Sequence, residues 1–370
     1  MVAVVALANR EGWALVVRGG GSADGWGLPL RRAPLVVLET SALSGIVAHA
    51  PGDLTVRVLA GTPLAELNAA LAPQGQLLAC EPPGAAATVG GLVAADAWGP
   101  SRLLYGGPRD LLLGARAVDG AGRAFSAGAR VVKNVSGLDV GKLLVGSFGT
   151  LAVLTEVCFK LRPRPRSAAC LAFAFEAPAR ALEAARAVLD GDFQPTGLVV
   201  CDGTCAVRLE GGLPEVADQA ARLARLCAAG TALAPAEAER VWADGARPAP
   251  GPLVRCDVPD GALPALAQAV AAGPHALRCT AWPGLGVLWC ALPPAAQGMR
   301  ASEVLSLLGR LRELAEAAGG RALTAGFPPE VRAQAPPFGE PGELLPWFAA
   351  LKGRFDPQGV LAPGRYVGGL

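Results

Sequence analysis

A glycine triplet directly after the first apolar segment restricts the local fold of this chain more than any other feature. Residues 13–17 are apolar and predict a short strand. The turn that follows contains one basic residue, three glycines and one hydroxyl residue, namely Arg18, Gly19, Gly20, Gly21 and Ser22. Because glycine has no Cβ atom, such a turn can point its backbone N–H groups inward and form a concave anion site suited to a diphosphate. A triplet by itself is equally compatible with a plain turn.

Two common nucleotide-binding patterns are excluded. The dinucleotide pattern of three spaced glycines fails because Asp24 stands where the third glycine belongs and no strand-helix unit follows. The phosphate loop of nucleotide hydrolases fails at residues 137–143, where the spacing is wrong and Leu143 replaces the required serine or threonine. The sequence therefore favours neither of these folds.

Two further loops of small residues lie next to regular elements in the same part of the chain. Residues 82–91 begin with two prolines that stiffen the entry, followed by glycines and alanines that let the backbone approach a flat ring system. Residues 146–151 form a third glycine-containing loop, immediately before an apolar strand predicted at 151–159. Together the three loops indicate one shared site for a charged, planar ligand.

Five motifs in a fixed order make a family resemblance specific. The chain contains, in this order, RGGGS, PPGAAATVGG, YGGPRDLLLGARAV, VVKNVSGLDVGKLLVGSFGTLAVLTEV and FDPQGVLAPGRY. Together they resemble the FAD-binding module of the vanillyl-alcohol oxidase and p-cresol methylhydroxylase (PCMH) type. The fourth motif is most similar to the FAD-binding subunits of bacterial glycolate oxidases. The resemblance covers residues 14 to about 162 and the last 15 residues.

The resemblance implies that FAD is the cofactor and assigns residues to it. The positions implied to hold the pyrophosphate are Arg18, Gly19, Gly20, Gly21 and Ser22. Those implied to lie along the flavin are Pro83, Gly84, Thr88, Gly90 and Gly91. Those implied to complete the adenine and ring contacts are Gly149, Thr150, Leu151 and Val153. The same motifs contain four polar residues that are as typical of loop capping as of cofactor binding, Asp110, Lys133, Asn134 and Asp139.

The chain departs from the family pattern at several positions. Many relatives attach FAD through a histidine in the first glycine-rich loop, where this chain has Gly21, Ser22 and Ala23, so we expect the FAD to be non-covalent. Asp96 and Ala362 stand where relatives carry asparagine, and Asp96 is expected to alter a polar contact near the flavin.

Length and periodicity predict an α+β chain of two parts. By resemblance, residues 1–163 form an FAD-binding PCMH-type domain, which ends at a charged, proline-broken linker at 162–165. Residues 167–342 show the order strand, helix, strand, strand, helix twice, which predicts an α+β, ferredoxin-like cap domain. Residues 343–370 are expected to return and pack on the FAD domain.

Candidate catalytic and metal-binding residues are few. His49 is predicted in a surface turn and His275 at the start of a strand, so no catalytic residue is assigned. The nine cysteines include no closely spaced motif, which predicts neither a disulfide framework nor a metal site. The nearest pair, Cys201 and Cys205, does not suffice for an iron–sulfur cluster.

Charge and hydropathy restrict the possible partners. A net charge of +2 without a basic run argues against nucleic acid, and no apolar stretch is long enough to span a bilayer. A cytoplasmic location is expected, with membrane contact only through partners. The resemblance implies a catalytic flavoprotein subunit and an iron–sulfur subunit as partners, with glycolate oxidised to glyoxylate. Two alternatives stay open: a free-standing FAD-dependent oxidase or dehydrogenase of another hydroxy acid or alcohol, and a non-catalytic scaffold with a vestigial FAD site.

Overall fold

The structure is a computed structural model that describes residues 1–82, 84, 86–128, 139–247, 251–292 and 299–370. The chain divides into two compact units. The first unit comprises Met1–Trp98, Gly106–Arg164 and Glu340–Leu370, and the second comprises Gly99–Tyr105 and Pro165–Gly339. The short segment Gly99–Tyr105 therefore belongs to the second unit although it lies within the sequence of the first.

The elements of the described residues follow in chain order. The helices are α1 (Val2–Glu11), α2 (Leu64–Leu71), α3 (Val89–Ala94), α4 (Arg102–Tyr105), α5 (Pro108–Leu111), α6 (Val140–Leu144), α7 (Pro178–Asp190), α8 (Leu213–Leu226), α9 (Pro235–Ala246), α10 (Leu263–Ala271), α11 (Ala301–Ala317), α12 (Pro329–Gln334) and α13 (Leu345–Phe355). The strands are β1 (Ala14–Arg18), β2 (Leu35–Glu39), β3 (Ile46–Ala50), β4 (Thr55–Leu59), β5 (Gln76–Leu77), β6 (Leu112–Asp119), β7 (Ala124–Gly128), β8 (Ala152–Lys160), β9 (Arg162–Pro163), β10 (Ser167–Ala174), β11 (Pro195–Cys201), β12 (Thr204–Gly211), β13 (Thr231–Ala232), β14 (Leu253–Asp257), β15 (Arg278–Trp282), β16 (Val287–Ala291) and β17 (Arg321–Ala325).

The first unit is built on a five-stranded antiparallel sheet in the order β3, β4, β8, β6, β7, together with the parallel pair β1 and β2. Helix α2 buries Leu64, Leu67 and Leu71, the spacing that places side chains on one helical face. These leucines pack with the strands in one hydrophobic core. The strands predicted at 13–17 and 151–159 are present as β1 and β8, and four residues of β8 belong to this core, Ala152, Leu154, Val157 and Phe159.

The C-terminal segment adds to the first unit through backbone pairing. Leu15 of β1 donates its N–H to the carbonyl of Val360 (2.7 Å), and its own carbonyl accepts from the N–H of Ala362 (2.7 Å). The fully buried Asp356 accepts hydrogen bonds from the backbone of the same segment and pairs with Lys352 at 2.6 Å. A buried carboxylate with this many donors fixes the turn that carries the last residues back to β1.

The second unit contains an eight-stranded antiparallel sheet in the order β13, β10, β12, β11, β15, β16, β14, β17. Strands β10 to β13 with helices α7 and α8 form one ferredoxin-like half, and β14 to β17 with α10 and α11 form the other. The halves meet where β11 pairs with β15. The repeated pattern seen in the sequence therefore corresponds to two copies of the same strand order placed edge to edge.

Both faces of this sheet carry a helix. Leu198 and Val200 of β11 belong to the core shared with α7, α8, α10 and α11. Val199 lies between them and faces Gly245 of α9, on the opposite side. The sequence pattern identified the four helices of the first face, but not α9.

Two local predictions are wrong. His49 is not in a surface turn but in β3, because the turn begins only at Pro51. His275 does not open a strand, since β15 begins three residues later, at Arg278. Among the described residues, no helix is long and apolar enough to cross a bilayer.

Candidate functional site

A cleft in the first unit brings the glycine-rich loops together. The cleft holds about 680 Å³ of empty space, counting the open solvent at its mouth. Nine of the fourteen positions assigned from the sequence line it: Arg18, Gly19, Gly20, Gly21, Ser22, Thr88, Gly90, Gly91 and Gly149. Loops that are far apart in the sequence therefore share one cavity.

The other five assigned positions lie elsewhere or outside the described residues. Gly84 adjoins the cleft, since a Cβ added there would lie 3.0 Å from Cβ of Ser22. Pro83 is outside the described residues. Thr150 and Leu151 line a different cavity of the same unit, beside α6 and α13. Val153 is fully buried in a hydrophobic cluster next to β1 and does not line the cleft.

Of the four polar residues in the same motifs, two cap helices and two lie outside the described residues. Asp110 accepts a hydrogen bond from the backbone N–H of Gly107 (2.8 Å) at the start of α5. Asp139 accepts one from the backbone N–H of Lys142 (3.3 Å) at the start of α6. Both carboxylates therefore cap helices. Lys133 and Asn134 lie outside the described residues.

The wall of the cleft consists largely of main-chain atoms, because the glycine-rich loops pack directly against each other. A Cβ added at Gly20 would lie 1.5 Å from the carbonyl oxygen of Ala86, and one added at Gly19 would lie 2.3 Å from Oγ1 of Thr88. On the other side, a Cβ at Gly90 would lie 2.7 Å from the carbonyl oxygen of Ala60. A side chain at any of these positions would separate the loops. We call the contacting loops at residues 18–22 and 86–91 the cradle. The cradle suits a ligand that is held by main-chain N–H groups, as a diphosphate is.

Hydrogen bonds fix the second loop of the cradle. The N–H of Val89 donates to the carbonyl of Thr62 (2.9 Å), and the N–H of Gly90 donates to that of Ala60 (2.7 Å). The hydroxyl of Thr88 accepts from the backbone N–H of Gly91 (3.2 Å) and caps α3. This loop of the cleft is thus held by backbone hydrogen bonds to the segment that follows β4.

Three charged side chains line the described cleft, two basic and one acidic. Nε of Arg18 lies 3.0 Å from Oδ2 of Asp24, and both side chains are about half exposed, at 47% and 50%. Arg365 donates from Nη2 to the carbonyl of Ala23 (3.0 Å). The excess of positive charge favours an anionic ligand, whereas the carboxylate of Asp24 competes with that ligand for Arg18.

Arg365 and Asp24 were not assigned from the sequence. The C-terminal motif FDPQGVLAPGRY contains Arg365 and was the available signal, but the motif alone does not indicate which of its residues reaches the cleft. Arg365 arrives there because β1 pairs with the backbone at Leu361.

An aromatic side chain from the third loop completes the lining. Phe148 lines the cleft, and its ring centroid lies 6.4 Å from that of Trp26 and 6.4 Å from that of Tyr366. Phe148 adopts a positive φ of 52°, which few non-glycine residues do. The backbone N–H of Phe148 donates to the carbonyl of Ala94 (2.8 Å), which fixes the main chain at this position.

The two positions at which relatives carry asparagine share one backbone property. Asp96 has a φ of 45° and Ala362 a φ of 42°. Asparagine is, after glycine, the residue best suited to this left-handed region. The structure thus shows a backbone role for Asp96. Asp96 is not among the residues that line the described cleft, so its polar contact near the flavin stays a prediction.

No histidine lies in the described lining of the cleft. Nε2 of His49 is 2.9 Å from Oε1 of Gln76, and Nε2 of Gln76 donates to the carbonyl of Pro51 (2.7 Å). Through Gln76, this network joins β5 to β3 and to the turn after β3, and it is structural. Among the described residues, no group of three or more His, Cys, Asp or Glu side chains is placed to hold a metal ion.

Comparisons with known proteins agree with this geometry. Residues 1–128 match the family described as FAD binding domain. The chain is 39% identical to the glycolate oxidase subunit GlcE of Escherichia coli over 203 residues. This aligned stretch covers 54% of this chain and 56% of that subunit. It is 34% identical to a D-lactate dehydrogenase of Archaeoglobus fulgidus over 174 residues, a stretch that covers 47% of this chain and 39% of that enzyme. The chain thus matches about half or less of the length of these two relatives.

A solved structure shows the same fold along nearly the whole chain. An alkyldihydroxyacetonephosphate synthase superposes with a TM-score of 0.72 over 98% of this chain and 73% of that one, at 16% identity. The predicted α+β architecture of the PCMH type is therefore confirmed. Residues 1–128 thus carry an FAD-binding domain, and FAD is the cofactor of the chain.

Proposed function

We propose that the chain is the FAD-binding subunit of a cytoplasmic complex that oxidises a 2-hydroxy acid, with glycolate as the substrate and glyoxylate as the product. The observation that carries this proposal is the cleft in which Gly19, Gly20 and Gly90 allow backbone loops to touch beside two arginines. The similarity to a glycolate oxidase subunit and to a D-lactate dehydrogenase supports the class of substrate.

The residues of the cleft would bind FAD without a covalent bond. Backbone N–H groups at Gly19, Gly20, Gly21 and Ser22 would bind the diphosphate, with Arg18 and Arg365 balancing its charge. The part of the first glycine-rich loop in which many relatives have the linking histidine reads Gly21, Ser22 and Ala23 in this chain, so no histidine is present there to form the linkage. FAD, when bound, supplies an acceptor for the hydride of the hydroxy acid.

The acid–base groups of the described cleft support dependence on partners. Removing the hydroxyl proton of a 2-hydroxy acid requires a base, and Asp24 is the only carboxylate in the described lining. The Oδ2 atom of Asp24 is already engaged by Nε of Arg18, at 3.0 Å. We therefore propose that a catalytic flavoprotein subunit contributes the base and that an iron–sulfur subunit receives the electrons.

The state of the cysteines supports a reducing compartment. All nine are free, and seven of them are buried. Free thiols in this number are typical of cytosolic proteins. Their positions also fit an arrangement in which any iron–sulfur cluster is held by another subunit, because a cluster requires several thiolates within one ligand shell.

A visible absorption spectrum tests the cofactor before any activity is assayed. The purified chain should show a flavin spectrum, and acid precipitation should release the flavin entirely into the supernatant. A yellow pellet would contradict non-covalent binding. A colourless chain that takes up no added FAD would favour a vestigial site and a scaffold role.

Anaerobic reduction separates the remaining possibilities. We expect glycolate to leave the flavin of the isolated chain oxidised and to reduce it when the co-expressed partner subunits are present. Rapid reduction of the isolated chain by glycolate would refute dependence on partners. Reduction by a different hydroxy acid or an alcohol alone would point to a free-standing enzyme.

A further inference from the structure

Two cysteines face each other across neighbouring strands of the second unit. Cys279 of β15 is paired directly with Cys290 of β16, and their Sγ atoms lie 3.9 Å apart. Cys279 is half-buried, whereas Cys290 is fully buried. We infer that Cys279 and Cys290 are an oxidisable thiol pair, a modification site at which a peroxide produces a reversible intrachain disulfide.

The backbone geometry of the pair permits this bond. Residues directly opposite in an antiparallel ladder have Cα atoms about 4.5 or 5.5 Å apart, depending on the hydrogen-bonding position. Both values lie within the range of roughly 4.4–6.8 Å found for disulfides. The two sulfur atoms must approach by a little under about 2 Å to reach bonding distance, which side-chain rotation and a small strand adjustment can provide.

The reaction balances with one equivalent of peroxide. The Cys279 thiolate attacks one oxygen of hydrogen peroxide, the O–O bond breaks, and a sulfenic acid and water result. The Cys290 thiol then attacks the sulfenic sulfur, forms the S–S bond and releases a second water. Two thiols are oxidised by two electrons in total, and one peroxide is reduced to two waters.

The partner thiol also makes Cys279 the more reactive of the half-buried cysteines. A hydrogen bond between the two sulfurs lowers the pKa of Cys279, against the opposing effect of burial. By contrast, burial raises the pKa of Cys170 to about 12. Cys170 is also half-buried, but its Sγ donates to the carbonyl oxygen of Ala238, at 3.5 Å. Cys170 is therefore a matched control for exposure without an adjacent thiol.

A tryptic digest distinguishes the proposed bond from its neighbour. Arg278 and Arg300 flank a peptide, residues 279–300, that contains both Cys279 and Cys290. A third thiol, Cys256, lies near Cys290, and a hydrogen bond between them raises the pKa of Cys290. Cys256 is in a separate tryptic peptide, residues 256–278. A bond between Cys279 and Cys290 makes one peptide lighter by two hydrogens, whereas a bond to Cys256 joins two peptides.

The experiment treats the reduced, full-length chain with graded hydrogen peroxide, then denatures, alkylates and digests it. We expect the unalkylated, two-hydrogen-lighter peptide 279–300 to form at least about tenfold faster than Cys170 is lost, and to disappear on addition of dithiothreitol. Cys279→Ser should abolish it and Cys170→Ser should leave it unchanged.

Several results would overturn the inference. These are full alkylation of peptide 279–300 after peroxide, oxidation of Cys279 that stops at the sulfenic or sulfinic acid, and a cross-link to peptide 256–278. Because the buried Cys290 can be needed for folding, the peptide map of the unaltered chain and the Cys279→Ser variant decide the question without a Cys290 variant. FAD content is recorded in parallel, so the outcome stands independently of the proposed function.

Discussion

Replacing Gly20 with alanine should weaken FAD binding more than it weakens the fold. The new Cβ would lie 1.5 Å from the carbonyl oxygen of Ala86, and real Cβ contacts stay beyond about 3.0 Å. The two loops must therefore separate by about 1.5 Å. Backbone N–H groups displaced by that distance no longer reach a diphosphate at hydrogen-bonding length.

The size of the effect follows from the bonds that are lost. A hydrogen bond to a charged group contributes about 1.5–3 kcal/mol, so the loss of two costs about 3–6 kcal/mol. This corresponds to an increase of about 10²- to 10⁴-fold in the Kd for FAD. The cost to the fold is that of a crowded contact, about 1–3 kcal/mol.

Fluorescence titration of the apo chain with FAD, with thermal unfolding in parallel, measures both quantities. Gly52→Ala is the matched control, because position 52 has space around it and lies outside the cleft. An unchanged Kd in Gly20→Ala would refute the argument that contact between loops builds the cradle.

A rescue experiment covers the case in which Gly20→Ala does not fold. In Gly19→Ala the clash is with Oγ1 of Thr88, at 2.3 Å, rather than with backbone. Adding Thr88→Ala removes that atom and leaves the remaining Cβ of residue 88 at 3.3 Å, so the double variant should recover part of the lost affinity. No recovery, measured against Thr88→Ala alone, would show that the space at Gly19 is not what matters.

Three further perturbations test other parts of the first unit. Asp24→Asn should tighten FAD binding roughly two- to fivefold, because Arg18 loses its competing carboxylate; equal or weaker binding in titration would contradict this competition. Asp356→Asn should lower the unfolding free energy by about 3 kcal/mol, since it leaves the charge of the largely buried Lys352 poorly paired; an unchanged Tm would contradict it. Val153→Ala should destabilise the fold by about 2 kcal/mol with little change in the Kd for FAD, and the opposite outcome would restore Val153 as a cofactor contact.

Local chemistry explains what the sequence predicted well. Alternating and helical apolar periods depend on neighbours a few residues apart, so β1, β8 and the doubled pattern of the second unit were identified correctly. The absence of Cβ atoms at Gly19 and Gly20 is likewise a local property, and the structure places both residues at the predicted cleft. Helix α9 was missed because it packs on the second face of a sheet, which the pattern alone does not assign.

The sequence alone determined the type of most elements, the small-residue loops and, through the family resemblance of its ordered motifs, the class of cofactor. Only the tertiary structure decided which charges face that cofactor. Arg365 reaches the cleft because Leu361, more than 300 residues along the chain, pairs with Leu15 beside the glycine triplet. Val153 faces a core, although it adjoins a cofactor loop, because the direction of its side chain is set by the register of β8 in the sheet. Contacts of this kind depend on distant segments meeting, and a local sequence pattern carries no information about which segments meet.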